Sequence, residues 1–285
     1  MGSLPETERL AGFVGAEVLG ADLRALDDPD LCTALRTALS AHRVLVFRDQ
    51  HLDIAEQKRL TEVFGPLMSL PYVAPIPEDP AVIAVLKEAH ETDGGVFGGA
   101  WHSDFSFLQT PPAGSVLSAV DIPPVGGDTV WASQVKAFET LPDHLRGFLD
   151  GRLAVHVGKP YGVRHAPPAK TRSNASIAMT RGDPAADAET LHPAVVTDPA
   201  TGQRALFLNP IYTTRFDGLT EEESRPFLDQ IYTHATRPDF SCRHRWRAGD
   251  VVVWDNRMTL HYATNDYAGS RRLLYRTTFG GDAPR

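Results

Sequence analysis

With 285 residues the chain is long enough to bury a sizeable core, and one large domain is expected because all-β folds often reach this length. Lys and Arg total 28 against 36 Asp and Glu, a formal charge of −8 that argues against a nucleic-acid surface or a polybasic membrane anchor and favours a small-molecule partner. Cys32 and Cys242 make neither a disulfide framework nor a cysteine-type metal cluster; with no leader-like start and no apolar run of about 20 residues, the expectation is a cytoplasmic protein.

In chain order, Asp28-Pro29 puts a proline at a first helical position, and Leu31, Leu35 and Leu39 recur at helical spacing up to a break near His42. Val44-Leu45-Val46-Phe47 reads as a short buried strand. A second helix is signalled by Asp53 with Glu56 three residues on, a capping-box pattern, and should stop at Gly65-Pro66. A third helix is expected after Ser133, and a fourth after Thr220, where Glu223 repeats the capping spacing. Strand-like runs fall at residues 82–86, 115–120, 153–157, 206–208, 251–254 and 273–279. Short strands joined by turns, with helices at the margins, predict a mainly β single domain with flanking helices, a sandwich or jelly roll.

Residues 73–101 stand apart. Pro75, Pro77 and Pro80 open the segment and Gly94, Gly95, Gly98 and Gly99 close it, without the Gly-Lys-Ser/Thr ending of a phosphate loop. It reads as an active-site lid, with an ordinary surface loop as the alternative.

The chemistry-bearing residues follow directly. In extended chain, residues i and i+2 point the same way, so His102 and Asp104 can aim at one centre while Ser103 faces the other side. Such a triplet is common by chance. Its weight comes from a later block, Gly249-Asp250, then Val251 to Trp254, then Asp255-Asn256-Arg257, after which His261 can arrive as a third ligand. Two imidazoles and one carboxylate suit a divalent iron with positions left open. Arg272 lies on the last apolar strand, where a guanidinium is costly without a partner; a structural ion pair is the plainer reading, an anionic cosubstrate the functional one. Arg276 shares its strand face by parity, so two anions, or one held twice, are expected. The same three ligands would also serve a zinc hydrolase or a catalytically silent metal-binding protein.

Trp101-His102-Ser103-Asp104, Gly126-Gly127-Asp128-Thr129, Val253-Trp254-Asp255-Asn256-Arg257 with Leu260-His261-Tyr262-Ala263, and Asp266-Tyr267 with Arg271-Arg272 together resemble the taurine dioxygenase family of Fe(II)- and 2-oxoglutarate-dependent oxygenases, from about Gly15 to Phe279. Ala235-Thr236-Arg237 with Asp239-Phe240, and Asp266-Tyr267-Ala268-Gly269, resemble its aryloxyalkanoate branch. The resemblance implies a double-stranded β-helix; Fe(II) on His102, Asp104 and His261; and O2 with 2-oxoglutarate as cosubstrates, the latter's far carboxylate held by Thr129 and Arg272. Arg276 matches an arginine that meets the substrate's anionic group, although it remains open whether it serves substrate or cosubstrate. Gly98 replaces an asparagine of the sulfonate-cleaving members, and residues 69–73 lack their histidine, so taurine itself is not implied. Tyr72, Gly98, Trp101 and Phe105 are the remaining substrate-side candidates, with Phe107, Leu117 and Tyr212 as further apolar surroundings. The expected outcome is C–H hydroxylation of a small acidic molecule, an aryloxyalkanoate, a sulfonate or a secondary-metabolite intermediate, with desaturation or C–O and C–S cleavage reachable from it. Related enzymes are often dimers or larger, so a homo-oligomer is one open alternative, and the sequence does not decide the oligomeric state.

Overall fold

A computed structural model describes residues 5–92, 95–165 and 176–285. Its elements, in chain order, begin with strands β1 (Glu6–Arg9) and β2 (Ala16–Leu19), helix α1 (Pro29–His42), β3 (Val44–Phe47), α2 (Ile54–Phe64) and β4 (Ile83–Lys87). The central part comprises β5 (Gly114–Asp121), β6 (Thr129–Ser133), α3 (Gln134–Glu139), α4 (Asp143–Leu149), β7 (Leu153–His156), β8 (Thr190–Pro193), β9 (Val195–Thr197), β10 (Arg204–Leu206) and β11 (Thr213–Phe216). The chain closes with α5 (Glu221–Ala235), β12 (Ser241–His244), β13 (Val251–Asp255), β14 (Thr259–Ala263) and β15 (Arg272–Phe279).

The helices begin where local chemistry dictates. Asp28 accepts from the Asp30 amide ahead of α1, Asp53 and Glu56 exchange both bonds of a capping box at α2, and Thr220 and Glu223 do the same at α5. Ser133 caps α3 through the Lys136 amide. Helix α4 follows Pro142 with no side-chain cap, so it lacks the start signal the other four carry.

The larger sheet has the order β1-β2-β3-β13-β5-β15-β4, antiparallel except where β2 meets β3. Its central strands β3 and β13 are almost wholly apolar because both faces are covered. On one face Leu45, Phe47, Val251 and Val253 pack under α1 and α2 with Leu35, Leu39 and Leu60. On the other, Val44, Val46, Val252, Trp254 and Leu274 meet Trp131 and Cys242, which belong to the smaller sheet β12-β6-β14. Two sheets enclosing a core make the jelly roll. Helices α3 to α5 pack with β7, β10 and β11 around a separate cluster that includes Leu149, Phe216 and Ile231. Arg43, in left-handed conformation after α1, reaches across to Asp198 at 2.7 Å and Asp255 at 3.3 Å, tying the helical edge to the strand that leads toward the site.

Two expectations are adjusted. The run at 206–208 pairs only through Leu206, since the paired strand is Arg204–Leu206. The lid range of 73–101 contains β4, whose register against β15 runs from Ile83↔Arg276 to Lys87↔Arg272, so that stretch is sheet and cannot swing as a lid. Gly94 of that range lies outside the described residues, as do residues 1–4 of the expected single domain.

Candidate active site

His102 and His261 are brought face to face by an isolated antiparallel bridge, each amide donating to the other's carbonyl at 3.0 and 2.8 Å. One residue of the bridge belongs to β14 of the smaller sheet, the other to the chain entering the Asp104 turn. The imidazole centroids lie 4.2 Å apart. Asp104 joins them: its oxygens are 3.5 Å from His102 Nε2 and 3.8 Å from His261 Nε2, and one donor atom from each of the three residues falls within 4.8 Å of the others. Two ligands of one ion, each roughly 2.0–2.2 Å from it, span up to about 4 Å, so the three side chains can hold a single metal. Among the described residues no other cluster of this kind is found.

The protonation states suit that task. His102 Nδ1 lies 2.8 Å from the Ala100 carbonyl, which as an acceptor fixes the proton on Nδ1 and turns a bare Nε2 inward. Burial pushes the His261 imidazole down to about 3, with His102 adding to the effect, so it stays neutral. Burial alone would raise the Asp104 carboxyl, but Arg276, His261 and His102 outweigh it and hold the group ionised. Asp104 Oδ2 keeps a buried lone pair without a well-aligned hydrogen bond, although Arg276 Nη2 is 2.7 Å away.

Asn256 holds the backbone that presents these ligands. Its side chain accepts from the Asp104 amide at 2.7 Å and donates to the carbonyls of Asp104 and Pro112 at 3.0 Å each. Ser103 Oγ, facing away from the metal as its parity requires, donates to the Asn256 carbonyl at 2.6 Å. Phe105 follows at φ +46, an uncommon conformation for an aromatic residue, which turns its ring into the adjoining cavity.

On the sheet side of the triad a cavity of about 40 Å³ is lined by Thr129, Trp254, His261, Arg272 and Arg276 among others. Arg272 is 4 % exposed, yet its only hydrogen bond among the described residues runs from Nε to the Gly127 carbonyl at 2.9 Å. Burial lowers its pKa, with Tyr267 and Asp128 opposing the shift. Both terminal amino groups thus lack an anion among the described residues. Gly127 has φ +71, and a Cβ there would come within 3.0 Å of Arg272 Cδ, so glycine lets the arginine lie against the turn. Thr129 Oγ1 accepts from Trp246 Nε1 at 2.9 Å, which leaves its own proton to donate. A carboxylate between Arg272 and Thr129 would satisfy both groups.

On the other side a larger cavity, about 390 Å³, is lined by Phe97, Gly98, His102, Asp104, Phe105, Tyr161, Arg181 and Tyr212 among others. Its cover is the 95–100 segment, pinned where Ala263 N donates to the Gly98 carbonyl at 2.9 Å. Gly98, at φ +74, would place a Cβ 3.2 Å from His102 Cε1, so no side chain fits there without pressing on the ligand.

Most residues expected from sequence meet here. Trp101 does not: it stands edge-on to Tyr262 at 4.6 Å and lines neither cavity, because its neighbour His102 faces the metal and adjacent side chains of an extended chain diverge. Tyr72 stacks on Tyr161 at 5.0 Å, one ring behind the cavity wall, and Phe107 lies in the same aromatic cluster. Leu117 lines the smaller cavity rather than the larger. Arg276 lines the smaller cavity too, but its guanidinium is turned onto Asp104 and Ser115. Tyr161, Met179, Arg181 and Trp246 carried no signal in the sequence. Asn256 was legible only as part of a turn.

The family model described as "Taurine catabolism dioxygenase TauD, TfdA family" matches residues 6–278. The chain belongs to that family. Its enzymes are non-haem iron oxidoreductases, and Fe(II), 2-oxoglutarate and O2 are the cofactor and cosubstrates of the class. An alpha-ketoglutarate-dependent sulfate ester dioxygenase of Pseudomonas putida is 34% identical, over 96% of this chain and 89% of its own. The alpha-ketoglutarate-dependent 2,4-dichlorophenoxyacetate dioxygenase of Cupriavidus pinatubonensis is 31% identical, over 84% and 85%. A crystal structure of a taurine dioxygenase from Burkholderia xenovorans superposes with a TM-score of 0.81 at 32% identity, covering 99% of this chain and 92% of that one.

Proposed function

We propose that this protein is a dioxygenase that hydroxylates an unactivated C–H bond of a small, acidic organic substrate, with 2-oxoglutarate converted to succinate and CO2. The observation that carries the reading is a three-donor metal constellation, two of whose members, His102 and His261, share a cavity with a buried arginine whose two amino groups have no anion among the described residues. His102, Asp104 and His261 would hold Fe(II), and both cavities adjoin these residues. When bound, iron and 2-oxoglutarate supply the oxidising power for the C–H bond. Arg272 and Thr129 take the far carboxylate, so the cosubstrate enters the smaller cavity in one orientation.

Residues of the larger cavity position the substrate. The oxidant is unselective, so the wall formed by Phe97, Phe105, Tyr161 and Tyr212 decides which carbon lies nearest the metal. The 95–100 segment covers the site and keeps water from it. A zinc hydrolase using the same ligands would leave Arg272 and Thr129 without a role. The named activities of relatives, on a sulfate ester and on 2,4-dichlorophenoxyacetate, support an organic anion as the substrate class.

Anaerobic addition of Fe(II) and 2-oxoglutarate is expected to produce a weak visible charge-transfer band, and Arg272→Ala to weaken 2-oxoglutarate about 100-fold or more, since two charge-assisted hydrogen bonds go. Titration of the band measures both. A folded, iron-loaded protein without the band, or an Arg272→Ala variant that titrates like the native protein, would sink the proposal.

A further inference from the structure

The sequence points to Arg276 as the residue that meets the substrate's charge, yet in the structure that guanidinium is occupied. Its Nη1 and Nη2 lie 3.2 and 2.7 Å from the two oxygens of Asp104, and Nη2 also donates to Ser115 Oγ at 2.9 Å. The pair is nearly fully buried and internally neutral. An anion drawn to Arg276 would have to compete with a carboxylate that is itself a candidate iron ligand.

Arg181 is placed differently. It lines the larger cavity together with His102, Asp104 and the aromatic wall, and among the described residues no Asp or Glu oxygen lies within 4.0 Å of it. Its Nη1 donates to the Pro160 carbonyl at 2.9 Å, and Nη2 has only the Met179 sulfur at 3.8 Å, a weak acceptor. Most of its five N–H donors are therefore available. The segment that carries it is fixed, because Val73 and Met179 bridge and Thr180 N donates to the Tyr72 carbonyl at 2.8 Å. Among the described side chains lining this cavity, Arg181 is the one cation without a counter-charge.

We propose that Arg181 is the anion anchor for the substrate and that Arg276 is a positioning residue for Asp104. This rests on the oxygenase reading above and deepens it. The ligand is an organic acid, a carboxylate or sulfate ester, whose charged group sits on Arg181 while its apolar body lies along Phe97, Phe105, Tyr161 and Tyr212. Arg181 shares no hydrogen bond with any metal ligand, whereas Arg276 touches one. A lysine keeps the charge but not the planar fork, so it should bind in between.

The test uses the full chain loaded with Mn(II) and 2-oxoglutarate, and calorimetry with octyl sulfate, octanoate and phenoxyacetate as probes. At least one is expected to bind the native protein. Arg181→Gln should weaken that probe roughly 10- to 100-fold, the range for losing a charge-assisted contact, and Arg181→Lys should recover part of it. The Fe(II)–2-oxoglutarate band of both variants should titrate as in the native protein, which reports an intact fold and metal site. Equal probe affinity in native and Arg181→Gln protein overturns the assignment. So does failure of all three probes to bind a native protein that shows the band, an outcome that leaves the oxygenase reading standing. Absence of the band in native protein strikes that reading instead, and the Arg181 comparison is then read from calorimetry on the metal-free protein.

Discussion

At the scale of single residues the site depends on groups that never touch the metal. Asn256 is fully buried and serves the Asp104 amide and the carbonyls of Asp104 and Pro112, so its removal leaves three backbone groups without that partner and without water. We expect Asn256→Ala to lose about 2–4 kcal/mol of stability and to weaken Mn(II) binding some 10- to 100-fold, because His102 and Asp104 lose the scaffold that fixes their spacing. Chemical denaturation and calorimetric titration read the two effects separately. A variant that unfolds more easily yet binds Mn(II) like the native protein would confine Asn256 to a structural role.

Among the elements, legibility follows the distance over which the deciding interactions act. Helices α1, α2 and α5 can be read from sequence because their caps lie within three residues of the first turn. Strands β3 and β13 can be read because both faces are covered, leaving an unbroken apolar run. Strand β14 is different: Thr259-Leu260-His261-Tyr262-Ala263 alternates too briefly to announce a strand and has no apolar run, and it exists through its pairing with β6 and its bridge to His102. The triad residues were legible as a motif, while their meeting depends on that long-range pairing. Arg181 lay beyond reach because nothing in its local sequence tells of the cavity it faces. Strand β15 shows the energetic side of this. Its inward face carries Arg272, Leu274 and Arg276, so a core strand brings two guanidinium groups out of water and each needs a negative partner. Arg276→Met should therefore destabilise the metal-free protein by roughly 3–5 kcal/mol through the unpaired Asp104, and a divalent ion should restore a large part by supplying the missing charge. Melting temperatures with and without Mn(II) are the measure; a metal-induced rise no larger than that of the native protein would show that Arg276 does not stabilise Asp104.

For the molecule as a whole, buried imidazoles set the response to acid. His156 is fully buried, with Nδ1 2.9 Å from Ser106 Oγ and Nε2 without a partner among the described residues, and burial lowers its pKa to about 3, helped by His192 and Lys159. His261 is lowered to about 3 by burial and by His102. In the unfolded chain both return to the ordinary imidazole value of 6.5. Between these limits the unfolded state binds more protons than the folded one, so stability rises with pH. It is fully present above 6.5 and is lost progressively as pH falls toward 3, each histidine contributing a slope of at most about 1.4 kcal/mol per pH unit. His156→Asn keeps a polar atom near Ser106 but cannot titrate, so in metal-free protein its unfolding free energy should fall less steeply with acid. Urea unfolding between pH 4.5 and 6.5 makes the comparison while the iron ligands remain identical in both proteins. Parallel slopes would remove His156 from the acid response and leave it to the other buried imidazoles whose pKa is lowered, His192, His244 and His261.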